Sequence, residues 1–112
     1  MLFTSGTKQK KKLANQIFDW FASQNDLDSI EVEVFHTDLT DDGVFGWCEQ
    51  SDENEFLISI HNDLKSDDYI VTLLHELVHV VQSLRGLFDD ELREQEAHQL
   101  ESILFNQFTA AN

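Results

Sequence analysis

The sequence predicts an α+β fold: an N-terminal helix on a small three-stranded, mainly antiparallel sheet, followed by a buried helix and an antiparallel C-terminal helix. Three observations predict it. Leu13, Ile17 and Phe21 recur every four residues near the start. Apolar and polar residues alternate over two stretches in the middle. A run from Tyr69 to Leu84 is apolar on nearly every side, and a second helical stripe follows it.

The elements follow in order. Lys8 to Ser23 reads as an amphipathic helix with a lysine-rich first turn, and Phe18 widens its apolar stripe. Residues 1–7 read as a loose start. Ile30 to His36 alternates, with Ile30, Val32 and Val34 on one face. Val44 to Glu49 follows the turn-forming Asp41-Asp42-Gly43, and Glu55 to His61 alternates again through Phe56, Ile58 and Ile60. Ser51 to Asn54 joins those two as a hairpin. Ser66 is the expected N-cap of the second helix, with Asp67 and Asp68 where acids suit the helix dipole. Arg85 and Gly86 end it. The third helix runs from Asp89 or Asp90 to Phe108, with Leu92, Ala97, Leu100, Leu104 and Phe108 as its buried stripe, helped by Ile103.

A length of 112 residues suits one domain spanning 1–112, and 41% hydrophobic residues are enough to build a core. Against 22 Asp and Glu stand only 7 Lys and Arg, a formal charge of −15. Such a surface repels phosphate backbones and anionic lipid, so neither a nucleic-acid nor a membrane partner is expected. Cys48 is the single cysteine, which excludes an internal disulfide and fits a reducing compartment. No apolar run approaches the roughly 18 residues of a membrane span, and no apolar stretch follows the N-terminal lysines. The expected localisation is cytoplasmic.

The apolar run contains His75-Glu76-Leu77-Val78-His79, an H-E-x-x-H pattern. Positions i and i+4 of a helix share a face about 6 Å apart along the axis, so two imidazoles there can converge on one ion. Glu76 points about 60° away from His79 around the axis, where it flanks such an ion as a base rather than a ligand. With 5 His and 10 Glu in the chain, shuffling gives about 0.02 matches to this pattern. Two histidines and a glutamate among leucines and valines would also cost several kcal/mol if buried without partners. A metal ion gives all three a use.

Two histidines leave zinc under-coordinated, so a third protein ligand and one open position are expected. The short Gly86–Asp89 loop makes the last two helices antiparallel neighbours, which brings residues 94–98 near the motif. Glu96, beside the small Ala97, is the expected third ligand, with Glu94 and then His98 as the alternatives. A solvated helix face is the plain reading for Glu91.

His75-Glu76-Leu77-Val78-His79 with a later Glu96-Ala97 resembles the gluzincin metallopeptidases. In size and layout the chain is similar to minigluzincins and to small SprT-like or ImmA/IrrE-like phage proteins. The resemblance implies a zincin-like fold, with His75, His79 and Glu96 as zinc ligands and Glu76 as the general base. It also implies that Glu101 holds a ligand histidine from behind, and that a peptide or unstructured protein substrate adds to the edge of the Glu55–His61 strand. The activity it implies is zinc-dependent peptide-bond hydrolysis. His98, Tyr69 and Arg85 are candidates for the oxyanion donor, and Phe105 to Asn112 is a candidate tail over the cleft.

Two other functions fit parts of the sequence. One is a zinc-containing interaction protein that cleaves nothing and binds a basic partner. The other is a deformylase-type amidohydrolase with Cys48 as a metal ligand, although the residues around Cys48 lack that enzyme's pattern. His36 and His61, at strand ends, are expected to be exposed, and Asp38, Asp41, Asp42, Asp52 and Glu53 to be solvated loop acids. Trp20, Trp47 and the phenylalanines are most simply core.

Overall fold

A computed structural model describes the whole chain, Met1–Asn112. The order is β1 (Leu2–Thr4), α1 (Lys8–Gln24), β2 (Glu31–Thr37), a 3-10 turn (Thr40–Asp42), β3 (Gly46–Asp52), β4 (Glu55–His61), α2 (Ser66–Leu84) and α3 (Asp90–Ala111). The class is α+β, as expected, but the sheet has four strands rather than three and is mixed. Its order is β1-β2-β4-β3. β1 and β4 both run parallel to β2, and only the β3–β4 hairpin is antiparallel.

Two consequences correct the sequence reading. The start of the chain is a strand, not a loose segment: Leu2 pairs with Val32 and Thr4 with Val34, and the Met1 amine donates to the Ile30 carbonyl. The free edge near the motif belongs to β3, since β4 lies between β2 and β3. Alternation reports which face of a strand is buried, not which neighbour it has or in which direction that neighbour runs.

One face of the sheet carries Val32, Val34, Phe56, Ile58 and Ile60, all buried with Ile17, Phe18 and Phe21 of α1 and with α2 in one hydrophobic cluster. The opposite face shows Glu31, Glu33 and Phe35 to solvent. Thr7 caps α1 by accepting from the Lys10 amide at 3.2 Å, and Asp89 caps α3 by accepting from Leu92. The N-cap of α2 is Lys65, not Ser66, and it offers no side-chain bond. Gly86 takes φ +79°, the left-handed turn that ends α2 and reverses the chain into α3.

α2 is the central element. Leu73, Leu74 and Leu77 are fully buried, each contributing about 1.5–3 kcal/mol of apolar burial. α3 lies antiparallel on it, since His75, Gln82 and Ser83 meet Glu101, Glu96 and Arg93 in reverse order. Ala97 is fully buried at this crossing, whereas Leu92 and Ile103 lie outside the stripe and are about half exposed. The C-terminal turns of α3 continue as helix, and Phe108 packs edge-on against Trp20 of α1, ring centres 5.7 Å apart. That contact holds the tail on α1. No helix is long and apolar enough to cross a membrane.

Candidate metal centre

His75 and His79 stand one turn apart on α2, with ring centres 4.8 Å apart. The carboxylate that meets them is Glu94 of α3, the alternative to Glu96. Its Oε1 lies 2.8 Å from His79 Nε2 and its Oε2 lies 3.4 Å from His75 Nε2. One donor atom from each of the three falls within 4.8 Å of the others.

Each imidazole is held from behind. His75 Nδ1–H donates to Glu101 Oε2 at 2.7 Å, and His79 Nδ1–H donates to Gln82 Oε1 at 2.7 Å. With Nδ1 engaged by Glu101 or Gln82, Nε2 is the ring nitrogen that each histidine turns toward Glu94. Two imidazole nitrogens and one carboxylate oxygen, with both rings anchored, form a donor set suited to zinc.

Glu96 is directed elsewhere. It accepts from Gln82 Nε2 at 3.0 Å and pairs with Arg85 at 3.2 Å. The cause is helical phase: two residues advance a helix by about 200°, so when Glu94 faces the histidines Glu96 cannot. Glu94 and Glu101 are seven residues apart and share a face. That spacing, with His98 between them at i+4, is the sequence signal that identifies the working face of α3.

Glu76 is 5% exposed and makes no hydrogen bond or ion pair with the rest of the chain. It borders two clefts, of about 460 and 420 Å3, that share Val44, Gly46, His75 and Glu76. Burial pushes its carboxyl up to about 8, Glu94 and Glu101 add to the rise, and Arg93 opposes it. Gly46 makes this proximity possible, because a Cβ there would lie 2.9 Å from the Ser59 carbonyl, 3.0 Å from Thr72 Cγ2 and 3.5 Å from Glu76 Cγ.

The remaining candidates separate clearly. His98 lies at the rim, its Nε2 3.4 Å from Glu94 Oε2 and its Nδ1 3.5 Å from Glu101 Oε1, and it forms a second donor group with His75 and Glu101. Tyr69 is buried and donates to His36 Nε2 at 2.7 Å, and Arg85 is engaged with Glu96, so neither borders the clefts beside Glu76. Cys48 lines the second cleft but belongs to neither metal-competent group. Burial and the nearby Glu76 raise its thiol to about 12. His36 and His61 are half-buried rather than exposed: His36 binds the Ser5 carbonyl and Tyr69, and His61 Nδ1 accepts from the Leu39 amide.

Compared with protein-family models, with curated proteins and with solved structures, the chain matches none of them.

Proposed function

We propose that this chain is a zinc-dependent peptidase of gluzincin type on a minimal zincin-like scaffold, with His75, His79 and Glu94 as the ligands and Glu76 as the general base. One observation carries the reading. A carboxylate is buried beside two anchored imidazoles, has no partner of its own and borders an open groove. Burial makes its charged form costly, as the raised carboxyl pKa records, while its oxygens stay open to the groove rather than sealed in the core. A purely structural metal site has no need of it.

Glu94 and the two Nε2 atoms would hold the ion. When bound, it supplies Lewis-acid chemistry, acidifying a water and polarising a carbonyl. Glu76 would take a proton from a water in the groove and pass it to the leaving amine. Its ordinary charge state returns beside a dication, because the positive charge counters the burial that raises its pKa. Glu101 and Gln82 keep His75 and His79 in the ligating tautomer. The free edge of β3 borders both clefts, so an extended peptide adding to it crosses Glu76. That edge takes the role expected of the Glu55–His61 strand.

The test is elemental analysis together with cleavage of an unstructured protein. The reading expects about one zinc per chain in the wild type and in Glu76→Gln, with cleavage lowered by about 10²–10⁴ in that variant. It expects loss of both metal and cleavage in His79→Ala. Cleavage at the wild-type rate in Glu76→Gln, or a folded protein that takes up no stoichiometric metal, overturns it.

A further inference from the structure

The cleft of about 460 Å3 lies between the loop before β3, the N-terminal half of α2 and the rim of α3. Its walls combine two chemistries. Val44, Phe45 and Val71 form an apolar side, whereas Asp68 and Glu101 put carboxylates on its border. No lysine or arginine lines it. Of the two arginines, Arg93 borders the other cleft and is engaged by Ser83 Oγ, the Leu87 carbonyl and the His79 carbonyl, and Arg85 pairs with Glu96. A bound dication would not reverse the sign of this region, because the three carboxylates Glu76, Glu94 and Glu101 face its two positive charges.

Asp68 stands seven residues before His75 on the same face of α2, about 10 Å along the axis. It is exposed and forms no ion pair. Between them Thr72 is 8% exposed, lines the cleft, and has a hydroxyl with no partner in the chain. Glu76, 5% exposed and also unpartnered, is aimed into the same space. Neither polar atom is sealed from solvent; with no partner in the chain, both keep their hydrogen-bonding capacity for whatever occupies the cleft.

We propose that this cleft selects a lysine or arginine side chain of the substrate, with Asp68 as the residue that reads its charge. The inference rests on the peptidase reading for the word substrate, but the recognition itself is binding. A long aliphatic stem lies along Val44, Phe45 and Val71 while its cationic head meets Asp68, as such side chains do when they bury the stem and keep the charge hydrated. An acidic side chain is disfavoured because the carboxylates around the cleft outnumber the charges of a bound dication and no lysine or arginine lines it. A short apolar one fills the stem's place and leaves Asp68 unanswered.

The experiment measures peptide binding to zinc-loaded Glu76→Gln protein by fluorescence anisotropy, so that turnover does not enter. The peptides share one neutral, unstructured sequence and differ at a single position: lysine, norleucine or glutamate. The expected result is about fivefold tighter binding of the lysine peptide than of the norleucine peptide, with the glutamate peptide weakest. Adding Asp68→Asn brings lysine and norleucine together. Adding Asp28→Asn, in the loop at the far end of the sheet, leaves the preference intact. Equal binding of lysine and norleucine, no binding of any peptide by folded zinc-loaded protein, or a lysine preference that survives Asp68→Asn overturns the proposal. Cleavage by the wild type is scored separately. Cleavage without a basic preference sinks this inference alone, and basic-peptide binding without cleavage sinks the peptidase reading alone.

Discussion

Gln82 Nε2 donates to Glu96 Oε1 at 3.0 Å, and this bond places Glu96 behind the site rather than in it. The same amide accepts from His79 Nδ1–H at 2.7 Å, so Glu96 acts on the metal-facing ring only through Gln82. Glu94, one face away on α3, meets both rings directly.

The first prediction separates these two acids. Glu94→Gln removes the charged donor and is expected to weaken zinc binding by more than 100-fold. Glu96→Gln perturbs a residue one step further out and is expected to cost less than about tenfold. Competition with a chromogenic chelator reads both. An equal loss in the two variants would mean that the face of α3 has been assigned wrongly.

The second prediction concerns the groups that hold the rings. Glu101→Ala and Gln82→Ala each free an Nδ1–H, and each is expected to weaken zinc binding about 10–100-fold. Glu101→Gln keeps an acceptor for His75 and is expected to recover much of the loss. The discriminating measurement is zinc affinity alongside thermal stability of the metal-free protein. A merely structural role would lower stability without the recovery by glutamine.

The positions of these residues show what a linear pattern can and cannot reveal. His75, Glu76 and His79 were legible because i and i+4 on one helix fix their relation locally. The third carboxylate was not, because its identity depends on the phase of α3 against α2, and an error of two residues turns the side chain by about 200°. The clue lay in Glu94, His98 and Glu101 at i, i+4 and i+7, a titratable stripe on a helix whose other stripe is apolar.

The fold shows the same division. The three helices and the strands at β2 and β4 fall within a few residues of the expected positions, since apolar period marks them. β1 is three residues long, too short to show a period, and is held by pairing with a strand about 30 residues away. The parallel pairing of β2 with β4 is likewise non-local. It moved the free edge from β4 to β3, and with it the strand that borders the groove.

A third prediction follows from His36, which bridges β1 and α2 through the Ser5 carbonyl and the Tyr69 hydroxyl. Burial is the main cause that holds its pKa below 6.5; Lys10 acts in the same direction and the Ser5 carbonyl opposes. Well above pH 6.5 the ring is neutral in both folded and unfolded chains, so no proton is exchanged on folding. As pH falls below 6.5 the unfolded chain takes up a proton that the folded one resists, and stability declines until the pH passes the lowered folded value. His36→Gln loses hydrogen bonds worth about 1–2 kcal/mol at pH 7.5 but lacks this titration. Its stability deficit is therefore expected to shrink at pH 5.5. Denaturant unfolding in chelator at the two pH values checks the sign, and a deficit that grows on acidification would contradict it.

The last prediction tests the contact between β3 and the motif helix. Gly46 has no special backbone angle; glycine is needed there because the position is pressed between the Ser59 carbonyl of β4 and Thr72 of α2. A methyl group at this position meets the Ser59 carbonyl at 2.9 Å and Thr72 Cγ2 at 3.0 Å, and one of those neighbours is backbone. Gly46→Ala is expected to cost about 1–3 kcal/mol by overpacking. Thr72→Ser removes the side-chain half of the clash but leaves the carbonyl. The double variant Gly46→Ala/Thr72→Ser is therefore expected to recover part of the loss, with a coupling of about 0.5–1.5 kcal/mol in a double-mutant cycle. The same methyl group would sit 3.5 Å from Glu76 Cγ, so the shift that relieves the clash also moves the free edge away from the base. Strictly additive effects of the two substitutions would mean that β3 and Thr72 do not touch, and the groove beside Glu76 would then be wider than its lining residues require.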